Sequence, residues 1–365
     1  MAAKTILLTE AEVEAVKAFN TRMAVAGAPS DFVAERVYPV AAGALITKTQ
    51  YVVADGAAVR GGVLKVEYPA SLNGSPFSAT NYQSPISEGI IDKKQSLTAM
   101  VLVKFMQQGG SRSFIVGMGD AGNPLPRLLK AGGWSVEPIP FFFHVCRASR
   151  FLSELRLLKA DPKRRILAKI AAATGAGWLG IRTLQFRGIV AGAAARKYRI
   201  RHVADWDSWA DVLWERFRNT CSFGVLRDRQ TLTELYPASD SRLIRFLLER
   251  DGQPVGWAAC FNSQMKGHAI FGNLCVATIL DCIAEPGHTS PLIASVVREL
   301  HAAGADLVVT NQTHISWREA FHRSGFLTSK SNYLLAMSPV LAKDLASVRD
   351  SIHVSRGDGD GRIHL

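Results

Sequence analysis

The same order of structural signals runs through this chain twice, and that repetition limits the folds open to it. In the first half, Gln50–Ala54 and Val63–Val66 read as strands around the turn Asp55-Gly56, and Asn81–Ile91 reads as the next strand. A helix over Ser96–Gln107 stops at Gly109-Gly110. A short buried strand follows at Phe114–Gly117, then a helix at Pro124–Lys130 stopped by Gly132-Gly133, then a final strand at Ile139–Cys146. In the second half, Leu243–Glu249 and Val255–Phe261 flank Asp251-Gly252, and Leu274–Ile283 is a long apolar strand. A helix over Pro291–Ala303, with Thr289 or Ser290 as N-cap, stops at Gly304. Then come a strand at Leu307–Thr310, a helix at Ser316–Arg323 and a last strand at Tyr333–Met337. Asp55-Gly56 and Asp251-Gly252 are 196 residues apart; Gly133-Trp134 and Gly325-Phe326 are 192 apart. A near-constant offset between like elements predicts an internal duplication.

At 365 residues with 48% hydrophobic content, the chain has material for two cores. Four segments are expected: a domain over 1–146, a basic amphipathic linker over 147–201, a second domain over 202–342, and a tail over 343–365. The formal charge of +12 resides in the linker, which carries 14 Lys and Arg against Glu154 and Asp161. An anionic partner should therefore meet the chain there. Asp161-Pro162 reads as a helix start, with Lys163, Arg164, Arg165 and Lys169 interleaved among Ile166, Leu167 and Ile170. Trp178, Leu179 and Ile181 follow. Basic and apolar residues mixed in this way suit an interfacial helix on an anionic membrane; nucleic acid is the rival partner and a plain inter-domain linker the third reading.

The apolar stretch Ile170–Ile181 is about half the roughly 20 residues that span a bilayer. The N-terminus shows no secretory signal, so the expected location is the cytoplasm, with peripheral contact at the inner face of its membrane. The five cysteines are widely spaced and form no CxxC pair, which predicts reduced thiols and no metal site. Cys282, within an apolar strand, reads as buried and structural. Trp206, Trp209, Trp214 and Phe217 read as core packing of a helix that opens the second domain.

The second half is similar to the GNAT (N-acetyltransferase-like) family over Arg245–Gly256, Gly304–Thr310 and Ala320–Phe326. Cys221–Pro237, with Leu226-Arg227-Asp228 and Leu235-Tyr236-Pro237, resembles members associated with envelope polysaccharide synthesis, as does the tail Ser355–Gly361. The resemblance implies two consecutive α/β (α+β) domains, each a mixed, mostly antiparallel twisted sheet flanked by helices. It implies an N-acyltransferase that takes acetyl-CoA or another acyl-CoA and acts on an amine, such as an amino sugar or a lipid-linked sugar. An aminoacyl-tRNA-dependent transferase of the FemAB-like branch, or a non-catalytic binding protein on the same fold, are the alternatives.

Such a transfer needs a base for the amine and an anion site for the pyrophosphate. The positions matching the family's base are Asp281 and Glu285, with Ser316 and His314 after the following short strand. Glu88 and Asp120 hold similar places in the first half. His288, Thr289 and Ser290 match the pyrophosphate turn of the second half; Lys93 and Lys94 match that of the first. Both turns depart from the family's spaced pair of small residues: Pro286–Ile293 carries only Gly287, and Asp92–Thr98 carries no glycine.

Overall fold

The computed structural model describes residues 3–28, 33–39, 42–108, 112–155, 176–331 and 333–359. Contacts divide the chain into two compact units: unit 1 is Met1–Pro138 with Asn332–Arg349, and unit 2 is Ile139–Ser331 with Asp350–Leu365. Each unit is mixed α/β, a mostly antiparallel sheet flanked by helices.

Unit 1 opens with β1 (Lys4–Leu7), then a capping box in which the Thr9 and Glu12 side chains serve each other's backbone, and α1 (Val13–Val25). Helix α1 buries Val16, Phe19 and Met23, one face at helical spacing. Strands β2 (Thr47–Asp55), β3 (Ala58–Leu72) and β4 (Ser75–Ser87) form a meander. Strand β3 runs through Gly61 and Gly62, which sequence patterning places before it. A Cβ on Gly61 would lie 2.5 Å from the Ile86 carbonyl oxygen, and one on Gly62 would lie 2.8 Å from that of Tyr51. These glycines admit close strand approach rather than mark a turn. Next come α2 (Ser96–Gln108), β5 (Ser113–Gly117), α3 (Pro124–Ala131) and β6 (Ser135–Pro138).

Unit 2 starts at β7 (Phe141–Val145) and α4 (Ala148–Glu154), then α5 (Ala176–Leu184), α6 (Arg187–Ala195) and β8 (Arg199–His202). Helix α7 (Ser208–Arg218) follows, with Trp206, Trp214 and Phe217 buried as expected of a core cluster. Then come β9 (Phe223–Val225), α8 (Arg229–Leu235), β10 (Ile244–Arg250), β11 (Gln253–Gln264) and β12 (Cys275–Ala284). The unit continues with α9 (Thr289–Ala302), β13 (Leu307–Asn311), α10 (Ile315–Arg323) and β14 (Leu327–Ser329). The chain then returns to unit 1 with β15 (Leu334–Met337) and α11 (Pro339–Asp344).

The two sheets have matching strand orders: β1-β2-β3-β4-β5-β15-β6 and β8-β10-β11-β12-β13-β7-β14. In each, the fourth and fifth strands are the parallel pair. The sixth position is where sequence reasoning assigns strands to the wrong sheet. Strand β7, expected to finish the first domain, pairs with β13 and β14 in unit 2. Strand β15, expected to finish the second, pairs with β5 and β6 in unit 1. Phe142 shows one reason for β7's allegiance: its ring stacks on Phe321 of α10 at 5.2 Å.

The expected boundaries at residues 146 and 342 move accordingly to 138/139 and 331/332. Of the expected linker, the described parts, 147–155 and 176–201, fold into unit 2, where Ala191 and Ala195 are buried. Residues 350–359, expected within a tail, also belong to unit 2. The Asp161-Pro162 helix with its basic and apolar residues 163–170, the stop at Gly109-Gly110, and Gly361 lie outside the described residues.

Candidate functional site

In both units the parallel strands part before they end. Strand β12 pairs with β13 only over Val276–Thr278, then runs on to Ala284. Strand β4 pairs with β5 at Thr80 and Asn81, then runs on to Ser87. Just beyond each parting the strand bulges. Leu280 is the extra residue of β12, opposite Ala259 and Cys260. In β4, Ser84 and Pro85 together stand opposite the single residue Val63 of β3, and Ser84 has φ +48°. A bulge takes backbone groups out of the ladder. Of the two residues at the β4 bulge, Pro85 has no N–H to donate.

A second likeness lies at the strand ends. Glu88 directly follows β4 and is held by Arg22 (2.7 Å) in the last turn of α1 and by Arg60 (3.0 Å). Glu285 directly follows β12 and is held by Arg216 in the last turn of α7. The arginines are 194 residues apart and the glutamates 197, close to the repeat read from the sequence. Burial pushes the Glu88 carboxyl up, but its two arginines outweigh this and hold it below the usual range. Both strand-end acids are therefore engaged by arginine.

Asp281 is more strongly fixed. It is fully buried and receives Arg227 Nε at 2.5 Å, the Tyr236 hydroxyl at 3.1 Å and the Cys282 N–H at 2.9 Å; His353 Nε2 lies 3.3 Å away. Burial raises its pKa, but the Arg227 guanidinium and the His353 contact prevail and hold it at about 2. Arg227, itself fully buried, extends Nη2 to Asp358 at 2.6 Å. Asp358 in turn accepts from the Ser355 N–H at 2.8 Å. A carboxylate so paired is a poor proton acceptor at neutral pH and a strong local anchor. The two segments that carry the polysaccharide-associated resemblance, Cys221–Pro237 and Ser355–Gly361, meet here through Arg227, Tyr236 and Asp358. Sequence reasoning noted those segments as text but missed the buried cluster, since nothing local pairs residues 227 and 358.

The tail also crosses the strand parting of unit 2. Ser355 bridges to Gln312, Arg356 donates to Asn311 Oδ1 at 2.8 Å, and Val354 N–H donates to Thr313 Oγ1 at 2.9 Å. A Cβ on Gly357 would lie 3.3 Å from the Leu280 carbonyl oxygen of the bulge and 2.0 Å from the Tyr236 hydroxyl. Tyr236 is buried and bonded to Asp281, so it has little room to yield. Gly357→Ala is therefore expected to lower stability by about 1–3 kcal/mol, the range for overpacking a filled site. A denaturant midpoint equal to wild type would contradict this packing.

The remaining candidates divide between the units. The His288 ring meets the Tyr198 hydroxyl at 2.9 Å, and burial lowers its pKa against the opposing pull of Glu285. His288, rather than Thr289 or Ser290, is the N-cap of α9. Thr289 and Ser290 are half-buried in the first turn, and Pro291 removes the next donor. His314, not Ser316, caps α10: its Nδ1 accepts from the Ser316 N–H at 3.3 Å, and its Nε2 lies 2.9 Å from the Thr220 carbonyl oxygen. Ser316 is exposed beside it, and Asp281 and Ser316 are not brought into contact by any bond described here. Cys282 is buried, with its thiol pKa raised by burial. Asp120 is exposed, and its Oδ1 accepts from the Gly122 N–H at 2.9 Å.

Lys93 and Lys94 are exposed in a single 3-10 turn before α2. Asp92 caps that turn, its Oδ1 taking the Lys94 N–H at 2.9 Å. Beside them opens a groove of about 900 Å³, walled by Leu97, Met100, Val101 and Leu128, with Lys94 and Lys104 on its lining. Among the described residues, no group of His, Cys, Asp and Glu is arranged to hold a metal ion, and no helix is long and apolar enough to cross a membrane.

No protein-family profile and no curated protein sequence matches the chain. Solved structures do. A GCN5-related N-acetyltransferase from Anabaena variabilis superposes with TM-score 0.53 at 8% identity, over 92% of this chain and 72% of that one. A probable N-acyltransferase of unknown function from Enterococcus faecalis gives 0.51 at 9%, over 94% and 75%. Saccharomyces cerevisiae N-myristoyltransferase, solved with bound myristoyl-CoA, gives 0.51 at 8%, over 92% and 79%. The chain has a GNAT-like fold.

Proposed function

We propose that this protein is an N-acyltransferase that draws its acyl group from an acyl-CoA through unit 1. The observation that carries the reading is the parting of β4 from β5 with a bulge just beyond it, in a unit that also has a lysine-edged apolar groove. The fold neighbours, which include N-acyl-transferring enzymes, support the reaction class. In unit 2 the matching parting is crossed by residues 354–357, and Pro291 depletes the donors at the start of α9; these residues do not fit the cofactor. Unit 1 fits it better. Its groove is within the usual size for small-molecule sites, and its lysines suit phosphate.

When bound, acyl-CoA supplies an acyl carbon activated toward an amine. Lys93, Lys94 and Lys104 would hold its phosphates, and Leu97, Met100 and Val101 its apolar part. The Ser84 N–H, at the bulge, is proposed as a donor for a carbonyl oxygen. Asp120, exposed three residues beyond β5, is the carboxylate proposed to meet the incoming ammonium, since Glu88 is held by two arginines. The acceptor is proposed to be the amine of an amino sugar, carried on a lipid in envelope polysaccharide synthesis. That choice rests on the resemblance of Cys221–Pro237 and Ser355–Gly361 alone.

Calorimetric titration of the full chain with acetyl-CoA and a longer acyl-CoA tests the reading. Micromolar binding at one site is expected, weakened at least about tenfold by Lys93→Glu with Lys94→Glu. Silence from both ligands in folded protein would favour the non-catalytic reading, to which the crossed parting of unit 2 already lends weight for that half.

A further inference from the structure

The outer faces of α5 and α6 carry exposed apolar side chains with no described residue of unit 2 packed over them. Trp178, Leu179, Leu184, Phe186, Ile189 and Val190 are each 54–68% exposed, six large hydrophobics within a short stretch of two helices. The inner faces are already committed. Ile181 packs against the core around Val145, Leu274 and Leu307. Gln185 is buried, with Nε2 donating to the Gly325 carbonyl at 3.1 Å. Gly188 lies so close to Ser324 that a Cβ would come within 2.8 Å of its carbonyl oxygen, and Ala191 and Ala195 are buried. The exposed set is therefore not the residue of a loosely docked helix. Isolated exposed hydrophobics need no explanation, but six of them between positions 178 and 190 do.

Charge indicates what covers it. From Pro162 to Ala204 the sequence contains no Asp or Glu. Arg182 and Arg187 stand among the apolar residues, Arg196 and Lys197 follow α6, and Arg199 opens β8. A second copy of the chain would bring like charge to the same face. A polynucleotide would meet the arginines but leave Leu179, Leu184, Ile189 and Val190 unmatched, since base stacking uses aromatic rings. An anionic bilayer matches both features: aliphatic and Trp side chains enter the boundary between headgroups and acyl chains, and arginines face the phosphates.

We propose that the α5–α6 face is a membrane-docking surface that seats the protein on an anionic lipid bilayer. The face does not line the groove of unit 1, so docking is read without any acyl-CoA, and the proposal stands or falls separately from acyl transfer.

Flotation with lipid vesicles tests it. The full chain is expected to float with phosphatidylcholine vesicles containing one-third phosphatidylglycerol, and at least about tenfold less with phosphatidylcholine alone. Replacing Leu184, Phe186, Ile189 and Val190 together with serine should lower the bound fraction on the anionic vesicles by about tenfold or more. Arg182→Glu with Arg187→Glu should do the same, while added salt weakens the wild type. Five of the six positions are exposed and Arg182 is half-buried, so denaturant midpoints are measured on each variant to show that folding is intact. Failure of folded wild type to float would overturn the proposal, as would equal flotation by the folded variants. Binding of RNA or DNA without vesicle binding, or self-association through this face with vesicles ignored, would overturn it too.

Discussion

Arg227→Met is expected to destabilise unit 2 by on the order of 3–5 kcal/mol, the cost of leaving buried charge unpaired. Arg227 is the only cation bonded to both Asp281 and Asp358 in the contacts described, and all three side chains are shielded from solvent. Removing it strands two carboxylates in a low-dielectric core, where each must be protonated or dragged toward water. Six of the seven tryptophans lie in unit 2, so intrinsic fluorescence in a urea titration reports mainly on that unit. Adding Asp281→Asn and Asp358→Asn to Arg227→Met should recover part of the loss, because the uncompensated charges go with the cation. A single variant within about 1 kcal/mol of wild type would show that the cluster is not the anchor argued here.

The second large effect is on acid stability, and two histidines carry it. Burial, with the nearby Arg182 and His301, lowers His144 from 6.5 to about 4. Burial likewise lowers His314 to about 4, despite its bond to the Thr220 carbonyl. Its ring has no room for a second proton in this arrangement, since Nδ1 already accepts from the Ser316 N–H. Both groups are neutral when folded and take up a proton near pH 6.5 once unfolded. Their contribution is therefore complete above about pH 6.5 and is lost as pH falls toward 4, on the order of 3 kcal/mol each by linkage. Asp281 adds a later window. Its folded pKa of about 2 lies below the ordinary 3.8, so its contribution is complete above 3.8 and is lost as pH falls through 2. Urea midpoints measured from pH 7 downward should first fall between 6.5 and 4. His144→Gln and His314→Gln should each flatten that slope, whatever they cost at neutral pH. A wild-type midpoint that stays level through this window would refute the assignment.

Much of the fold was legible because it rests on local signals. Helix α2 begins at Ser96 as expected, and the β12–α9–β13–α10 order follows apolar runs, Pro and Gly that act over a few residues. The Asp55-Gly56 and Asp251-Gly252 turns hold as well: Gly56 and Gly252 both have positive φ. What was not legible depends on residues far apart in the chain. Phe141–Val145 reads as a buried strand from its composition, but nothing in it names β13 rather than β5 as partner. Asp281 reads as a strand acid suited to base chemistry until Arg227 and His353 arrive from 54 and 72 residues away. The N-caps were misplaced for a smaller reason. His288 and His314 hold the cap positions, and histidine is not among the residues that patterning favours there. Lys93 and Lys94 sit where expected, at the start of α2, but the Asp92 side chain has the Lys94 N–H that a phosphate would want.

The exchange of β7 and β15 has a consequence for how the protein is made. A ribosome releases the whole of unit 1 up to Pro138 before any of unit 2, yet the sheet of unit 1 lacks its sixth strand until residues 334–337 emerge. At translation speeds of about 5–20 residues/s, β5 and β6 wait roughly 10–40 s with hydrogen-bonding edges open. Such edges invite pairing with other nascent chains. The first unit to be synthesised thus stays open until almost the whole chain has been made, and its yield in a cell should depend on whatever shields those edges in the interval.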